Sequence, residues 1–525
     1  MKINFSTISE RLADTFGDRE ALVNIERDRR YTFRGYHLLT NRIVNMMRQK
    51  LDLRRGDYWV NILDNDNASL LHFFTVMKGE AAACYTNYRD SLEDHSYQVD
   101  TVNAKVVFLE ADLLASHYEM LRSRQITIVS MDPPEGDYPG VHYFWDLMAG
   151  VDDGNPNIVN DDRRDLLILR FTGGTTGRGK CAMYSADNWL MCRDSFFALP
   201  DPAWSPETRM LHLAPITHGS GMLYLPTLYK GGCTLTMNAP DLDAWCDNIA
   251  REKVNMVMMV PTLLYRLLAM GESTPQRLAS LETVFYGAAP MSPSKLTELQ
   301  AAFGNIFIQI YGSTEHIGVA LSMSKADHLV ENFVDGSHLA SAGRTGPGIE
   351  VQIMDDDGTP VTRGETGEIW LRSRAICLGY FGSPEQTASE FHDGFWKSGD
   401  LGRMDEQGFV YIVDRKKDMI ISGGFNIYAN EVEAAINSHE AVLMSAVVGI
   451  PHEEWGEAIH AEVMLKAGET VNPEELQVHV RDQLGGYKTP KTIALVAELP
   501  VSVVGKVLRR KVREKYWTDT NRKIG

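Results

Sequence analysis

Between Thr172 and Lys180 the chain reads TGGTTGRGK. Glycines at 173, 174, 177 and 179 leave backbone N–H groups free to approach phosphate oxygens. Thr172, Thr175 and Thr176 add hydroxyl donors and Lys180 adds a positive charge, so the stretch has the chemistry of a phosphate cradle. From Gly174 it falls one residue short of G-x-x-x-x-G-K-[ST], the phosphate loop in which the last hydroxyl holds Mg²⁺. Cys181 occupies that position. A loop of that kind runs from a strand into a helix and shares its metal with an Asp ending another strand. Here LLILRF (166–171) and CAMYS (181–185) both read as strands, with the next helix expected to start at Asp187 or Asn188. Neither NMVMMVPT nor IFIQIYGS ends in Asp. The stretch is therefore read as a phosphate grip of another construction, strand–loop–strand.

The elements that must position this loop alternate between strand-like apolar runs and helix-like segments, which predicts an α/β fold. NMVMMVP (255–261) and IFIQIYG (306–312) read as strands and TELQAAFG (297–304) as a helix. From about residue 345 the texture changes to short alternating runs, IEVQIMD, GEIWLRS and GFVYIVD, separated by DDGTP, RGETG and MDEQG turns, the pattern of β-hairpins. After the polar stretch DRKKD (414–418) comes a compact mixed segment, with helices at NEVEAAINSH and PEELQVHVRDQL and strands at LMSAVVGI and IHAEVMLK. The expected organisation is a large domain over 1–414, β-rich from 345, and a small α+β domain over 415–525.

Bulk properties narrow the function. At 525 residues the chain is long enough for roughly three or four domain-sized units. It has no run of about 18 apolar residues, so no membrane span is expected. Thr7-Ile8-Ser9-Glu10 reads as a helix-starting capping box and not as part of a secretory leader. The six cysteines are scattered without C-x-x-C pairs, which points to a reducing, cytoplasmic setting without disulfides or structural zinc. A formal charge of −18 argues against nucleic acid as a partner.

Four further stretches follow the loop in order: YGSTE (311–315), SGDLG (398–402) with DRKKDMIISGGFNI (414–427), and GKVLRR (505–510). PITHGSG (215–221), VPT (260–262), YGAAPMS (286–292), GRTGPG (343–348) and HEEWGEA (452–458) accompany them. Together these resemble the adenylate-forming superfamily of acyl-CoA synthetases, adenylation domains and luciferases, over essentially the whole chain. The resemblance implies a two-step reaction. A carboxylate attacks the α-phosphate of ATP, giving acyl-adenylate and pyrophosphate, and a thiol then displaces AMP.

The same resemblance implies roles residue by residue. Thr172, Gly173, Gly174, Thr175, Thr176, Gly177 and Lys180 would hold the terminal phosphates. Tyr311 and Gly312 would pack on adenine, with Gly287, Ala288 and Ala289 on its other side. Thr314 would donate to the α-phosphate and Glu315 would coordinate Mg²⁺, a hard cation for which one protein carboxylate suffices. Asp400 and Arg415 would reach the ribose, Lys417 would be the hinge of the small domain, and Lys506 the catalytic lysine of adenylation. Gly423 and Gly424 would wall a tunnel for coenzyme A after the domain turns. His218, Gly219, Ser220, Gly221, Tyr286, Ile317 and Gly318 would form the acyl pocket.

The chain departs from the family pattern at Gly173, Gly179, Cys181, Ala186 and Ala429, none of which removes an obligatory donor. The PITHGSG region offers His218 and no acid to pair an amino group, and no carrier domain follows residue 525. Coenzyme A is therefore the expected acceptor, with loading of a separate carrier protein as the alternative. Small residues in the pocket favour an aromatic or medium-to-long acid, and a homodimer is compatible with this reading.

Overall fold

The computed structural model describes residues 1–172, 179–238, 241–271, 273–333, 336–502 and 505–517. Its architecture is the expected mixed α/β one, built on four large sheets. The first sheet runs Cys181–Ser185, Leu166–Phe171, Ala82–Tyr85, Tyr58–Ile62, Val106–Leu109, Thr127–Ser130 and His142–Tyr143. It is parallel except at the edge, where Leu166–Phe171 and Cys181–Ser185 run antiparallel with Phe171 opposite Cys181. The strand–loop–strand reading of the opening motif is thus what the chain adopts.

A second sheet of nine strands has a parallel centre of Met256–Met259, Thr283–Gly287 and Phe307–Tyr311. Parallel strands leave their carboxyl ends together, and ligands of open α/β sheets bind there. In this sheet those ends carry Val260, Gly287 and Tyr311. One apolar cluster joins the two sheets, with Trp59 and Ile168 from the first, Phe285 and Ile308 from the second, and Phe73 and Trp189 from helices between them. Burial at that scale is the main favourable term holding the layers together.

The hairpin-like segment forms an antiparallel sheet of Glu350–Met354, Gly367–Arg372, Phe395–Met404 and Val410–Arg415, with the short strand Phe391–His392 on Phe395–Met404. The last sheet contains Ile420–Ser422, Phe425–Ile427, Val442–His452, Gly456–Leu465 and Thr492–Leu495. The helices Ala429–Asn437 and Pro473–Leu484 bury Val432 and Leu476 against its Ile420, Val447 and Ile459.

Two helix starts differ from expectation. The first helix is Phe5–Phe16, capped by Asn4, whose side chain accepts from Ser6 N and Thr7 N. Thr7 to Glu10 therefore lie inside it, because Asn4 satisfies the free N–H groups earlier in the chain. The helix after the phosphate loop is Ala186–Phe197, capped by Ser185, with Asn188 Oδ1 accepting from Ser185 N at 2.8 Å. All six cysteines are buried free thiols, and among the described residues no helix is long and apolar enough to cross a membrane.

Candidate active site

At the base of the phosphate loop, Thr172 N donates to Lys180 O at 2.8 Å and Lys180 N donates to Thr172 Oγ1 at 3.0 Å. Gly173, Gly174, Thr175, Thr176 and Gly177 lie outside the described residues. The Lys180 ammonium donates to both oxygens of Glu390, at 2.9 and 2.7 Å, and to the Tyr380 hydroxyl at 3.0 Å. It also stands 3.7 Å from Glu315 Oε1. Tyr380 OH lies 2.9 Å from Glu315 Oε1 and 2.6 Å from Glu390 Oε2, and burial with these two carboxylates pushes the phenol far above its ordinary range. Neither Tyr380 nor Glu390 was expected from sequence. Both come from the stretch that packs across the edge strand, where Phe381 N donates to Cys181 O at 2.7 Å.

On the neighbouring side the carboxyl ends of the second sheet meet the antiparallel sheet. Tyr311 OH donates to Asp400 Oδ2 at 2.7 Å. Asp400 and Arg415 are direct partners across two antiparallel strands, and Arg415 Nε sits 3.3 Å from Asp400 Oδ1. Gly287 closes the strand before the turn, and a Cβ there would lie 2.1 Å from Ile310 O. Ala288, which follows, is exposed at φ +65°, a left-handed conformation uncommon for a residue with a side chain. Gly312 is equally confined, its would-be Cβ being 2.5 Å from Gly318 O. Gly287→Ala should therefore cost about 1–3 kcal/mol through overpacking. Urea denaturation followed by tryptophan fluorescence checks this, and an unchanged midpoint would contradict it.

Lys506 reaches the same space from the far end of the chain. Gly505 adopts φ +82° and packs on the VPT segment, with Thr262 Oγ1 donating to Gly505 O at 2.5 Å. The turn is pinned by Ser502 N donating to Lys506 O at 2.7 Å and Lys506 N donating to Ser502 Oγ at 3.1 Å. The half-buried Lys506 ammonium is pushed down to about 8, by burial first and then by Arg415, with Asp400 opposing. The three charges are therefore neighbours. Burial, Arg170 and Lys506 together push His218 down to about 3, so this imidazole is neutral at working pH.

His218 heads the short turn Gly219–Leu223, in which Ser220 Oγ pairs with His212 Nδ1 at 2.7 Å. Gly221 could not carry a side chain, since a Cβ would lie 1.9 Å from Ile216 O. Ile317 is fully buried, and Gly318 N donates to the Met222 sulfur at 3.1 Å, so the loop after Glu315 closes on the same turn. Thr314 O accepts from the Tyr184 hydroxyl. Tyr286 departs from expectation. Its ring packs against Phe307 and His328, and its hydroxyl pairs with Gln309 Oε1 at 3.0 Å and His328 Nε2 at 2.8 Å. Strand alternation turns Phe285, not Tyr286, toward the cluster that holds Met222 and Ile317.

In the small domain Gly423 and Gly424 form a two-residue hairpin, both at positive φ, 56° and 84°, between Ser422 and its partner Phe425. Only glycine suits both positions of such a turn without strain. A Cβ on Gly423 would meet Trp455 and one on Gly424 nothing within 4 Å, so the pair faces none of the residues above. Lys417 is half-buried, and burial with Arg415 lowers its ammonium. Just before it the fully buried Asp414 accepts from Ala429 N at 2.6 Å and Arg509 Nη1 at 3.1 Å, while Arg509 Nε donates to Glu433 at 2.8 Å. Arg509, three residues beyond Lys506, thus ties the lysine-bearing turn to the junction of the two sheets.

Comparison with known proteins agrees with this geometry. The AMP-binding enzyme family matches residues 9–381 and the AMP-binding enzyme C-terminal domain matches residues 431–506. A medium/long-chain-fatty-acid–CoA ligase of Mycobacterium tuberculosis is 33% identical over 83% of this chain and 77% of its own. A feruloyl-CoA synthase of an Amycolatopsis species is 36% identical over 67% of this chain and 70% of its own. ATP-bound MatB from Rhodopseudomonas palustris superposes with a TM-score of 0.87 at 27% identity over 99% of both chains. The apo form of that same protein superposes with a TM-score of 0.75 at 27% identity. With both family regions matched and the lysine turn docked on the strand ends, the chain belongs to the AMP-binding, adenylate-forming enzymes and is an AMP-forming acyl-CoA ligase.

Proposed function

We propose that the enzyme couples an aromatic or medium-to-long carboxylic acid to coenzyme A through an acyl-adenylate, and that the arrangement described is the one that makes the adenylate. The observation that carries this reading is the packing of the Lys506 turn on Val260 and Thr262 at the strand ends, near enough to Asp400 and Arg415 for both to act on its ammonium. An ammonium there bridges the attacking carboxylate and the α-phosphate, neutralising charge as it develops. Asp400 accepts from the ribose hydroxyls, Arg415 supports the same ribose, and Tyr311 and Gly312 face the adenine with Gly287, Ala288 and Ala289 opposite. Thr314 donates to the α-phosphate, and Lys180 moves from Glu390 to the terminal phosphates when ATP enters.

Glu315 is the residue suited to hold Mg²⁺. It is 7% exposed, its hydrogen bond falls on Oε1, and Oε2 meets no partner among the described residues. Bound there, the ion would offset phosphate charge. The pocket of His218, Gly219, Ser220, Gly221, Ile317 and Gly318 receives the acyl group. Rotation about Lys417 then withdraws Lys506 and brings Gly423 and Gly424 to the site for the thiol. The buried free thiols support a cytoplasmic setting.

The Lys506 ammonium gives this reading a pH signature. Its protonated form serves adenylation and is lost as pH rises through about 8. Adenylation, followed by ATP–pyrophosphate exchange, should therefore fall above that pH. Thiolysis of supplied acyl-adenylate should not fall with it. Parallel profiles for the two half-reactions would count against the assignment.

A further inference from the structure

Arg170 lies two residues before the phosphate loop, in the strand Leu166–Phe171. Alternation places Leu169 and Phe171 in one apolar cluster and Ile168 in the core between the two large sheets, so Arg170 faces that core. It is only 5% exposed. Among the described residues no carboxylate or other hydrogen-bonding group meets its guanidinium, whose Cζ stands 5.6 Å from the centre of the Trp189 ring. A buried cation without a partner is strongly disfavoured, because nothing replaces the hydration it has lost.

The groups around it are orphaned too. Tyr85 is the direct register partner of Arg170 on the adjacent parallel strand. Among the described residues its buried hydroxyl meets no hydrogen-bond partner, and neither does the indole Nε1 of Trp189. His72 stacks on Tyr85 at 4.8 Å and 9°. Its Nε2 donates to Ile216 O at 3.0 Å, and its buried Nδ1 has no partner among the described residues. Buried polar groups are paired in the great majority of cases, so several orphans around one unpaired guanidinium mark a place that something fills. Water could satisfy the hydroxyl and the ring nitrogens but would leave the charge uncompensated.

This cluster adjoins the segment proposed to receive the acyl group. Ile216 opens the segment carrying His218 and Ser220, and a Cβ on Gly221 would lie 3.1 Å from His72 Cε1. Cys192, in the helix that also carries Trp189, lies 3.0 Å from the would-be Cβ of Gly318. The charges of Arg170 and Lys506 both depress His218, so both cations lie near it.

Resting on the adenylation reading above, we propose that Arg170, with Tyr85 and Trp189, receives a second carboxylate on the acid, so that the substrate is a dicarboxylic acid reacting at its Lys506 end. Arg170 then determines specificity and takes no part in bond making. An unsubstituted alkyl tail would leave the guanidinium buried and unpaired, and sites built around such a polar group reject analogues that lack its partner.

The test measures kcat/KM for AMP release with ATP, Mg²⁺ and coenzyme A. The series succinate to sebacate, and terephthalate, are each paired with the monocarboxylate of the same size, octanoate against suberate and para-toluate against terephthalate. The proposal expects one diacid to exceed its partner by about 10²-fold or more. Arg170→Met should abolish that preference, and Arg170→Lys, which keeps the charge, should restore part of it. Thermal denaturation of each variant separates a specificity change from unfolding, and Met is a tolerated apolar replacement for a buried charge. Monoacids preferred by the unaltered enzyme, or a diacid preference that survives in Arg170→Met, overturns the proposal while the ligase reading stands. No AMP from any acid removes both.

Discussion

Lys506→Ala should lower the rate of acyl-adenylate formation by about 10²- to 10³-fold or more, the loss seen when one preorganised donor to a developing charge is removed. The reason is local. The turn that carries Lys506 is clamped by Thr262 on Gly505 and by Ser502 on the backbone of Lys506, so the variant retains the turn and loses only the ammonium. Arg415, which would remain, is occupied by Asp400 and cannot take its place. Thiolysis of supplied acyl-adenylate should change less than about threefold if, as proposed, Lys506 is withdrawn before that step. Measured in parallel, equal losses in the two half-reactions would sink this division of labour.

Asp400→Ala should show the opposite pattern, weakening both half-reactions together. Asp400 joins Tyr311 and Arg415 at one point, and the nucleotide ribose must be held during adenylation and thiolysis alike. Losing hydrogen bonds to a charged group costs about 1.5–3 kcal/mol, which is roughly a 10- to 150-fold rise in the ATP KM and in the AMP dissociation constant. Asp400→Asn, which keeps an acceptor for Tyr311 but not the charge beside Arg415, should fall between. Calorimetric titration with AMP gives the direct reading, and unaltered AMP affinity in Asp400→Ala would remove Asp400 from the ribose site.

Much of the site was legible because its chemistry is carried by short contiguous stretches. The loop ending in Lys180, the Tyr311–Glu315 run and the Lys506 turn each hold their donors within a few residues, so residue type and spacing alone disclose them. What was not legible depends on distant parts of the chain meeting. Tyr380 and Glu390 hold Lys180 from about two hundred residues away, and nothing in GYFGSPEQTASEF marks either as a partner for a lysine. Nothing in GKVLRR marks Arg509 as a structural tie, yet it spans Asp414, Glu433 and Asn430 across the junction of two sheets. Arg170 sat inside an apolar strand pattern, and only its register with Tyr85 and the lack of an acid opposite it among the described residues suggest the role proposed for it.

Tyr286 and the first helix show the converse, a local pattern overridden. The resemblance put Tyr286 in the acyl pocket, but the two-residue alternation of its strand carries the ring to the opposite face, toward His328. Thr7 to Glu10 satisfied a capping pattern that Asn4 had already made unnecessary.

The central claim, that this enzyme activates a carboxylic acid as its adenylate and passes it to coenzyme A, is tested most directly by one assay. AMP and pyrophosphate release is measured with ATP and Mg²⁺ over a panel of aliphatic and aromatic mono- and dicarboxylic acids, with and without coenzyme A. The account predicts AMP release that depends on a particular acid and turns over repeatedly only when coenzyme A is present. Pyrophosphate release that stops at one turnover and ignores coenzyme A would contradict it, and would direct attention to a carrier protein as the acceptor.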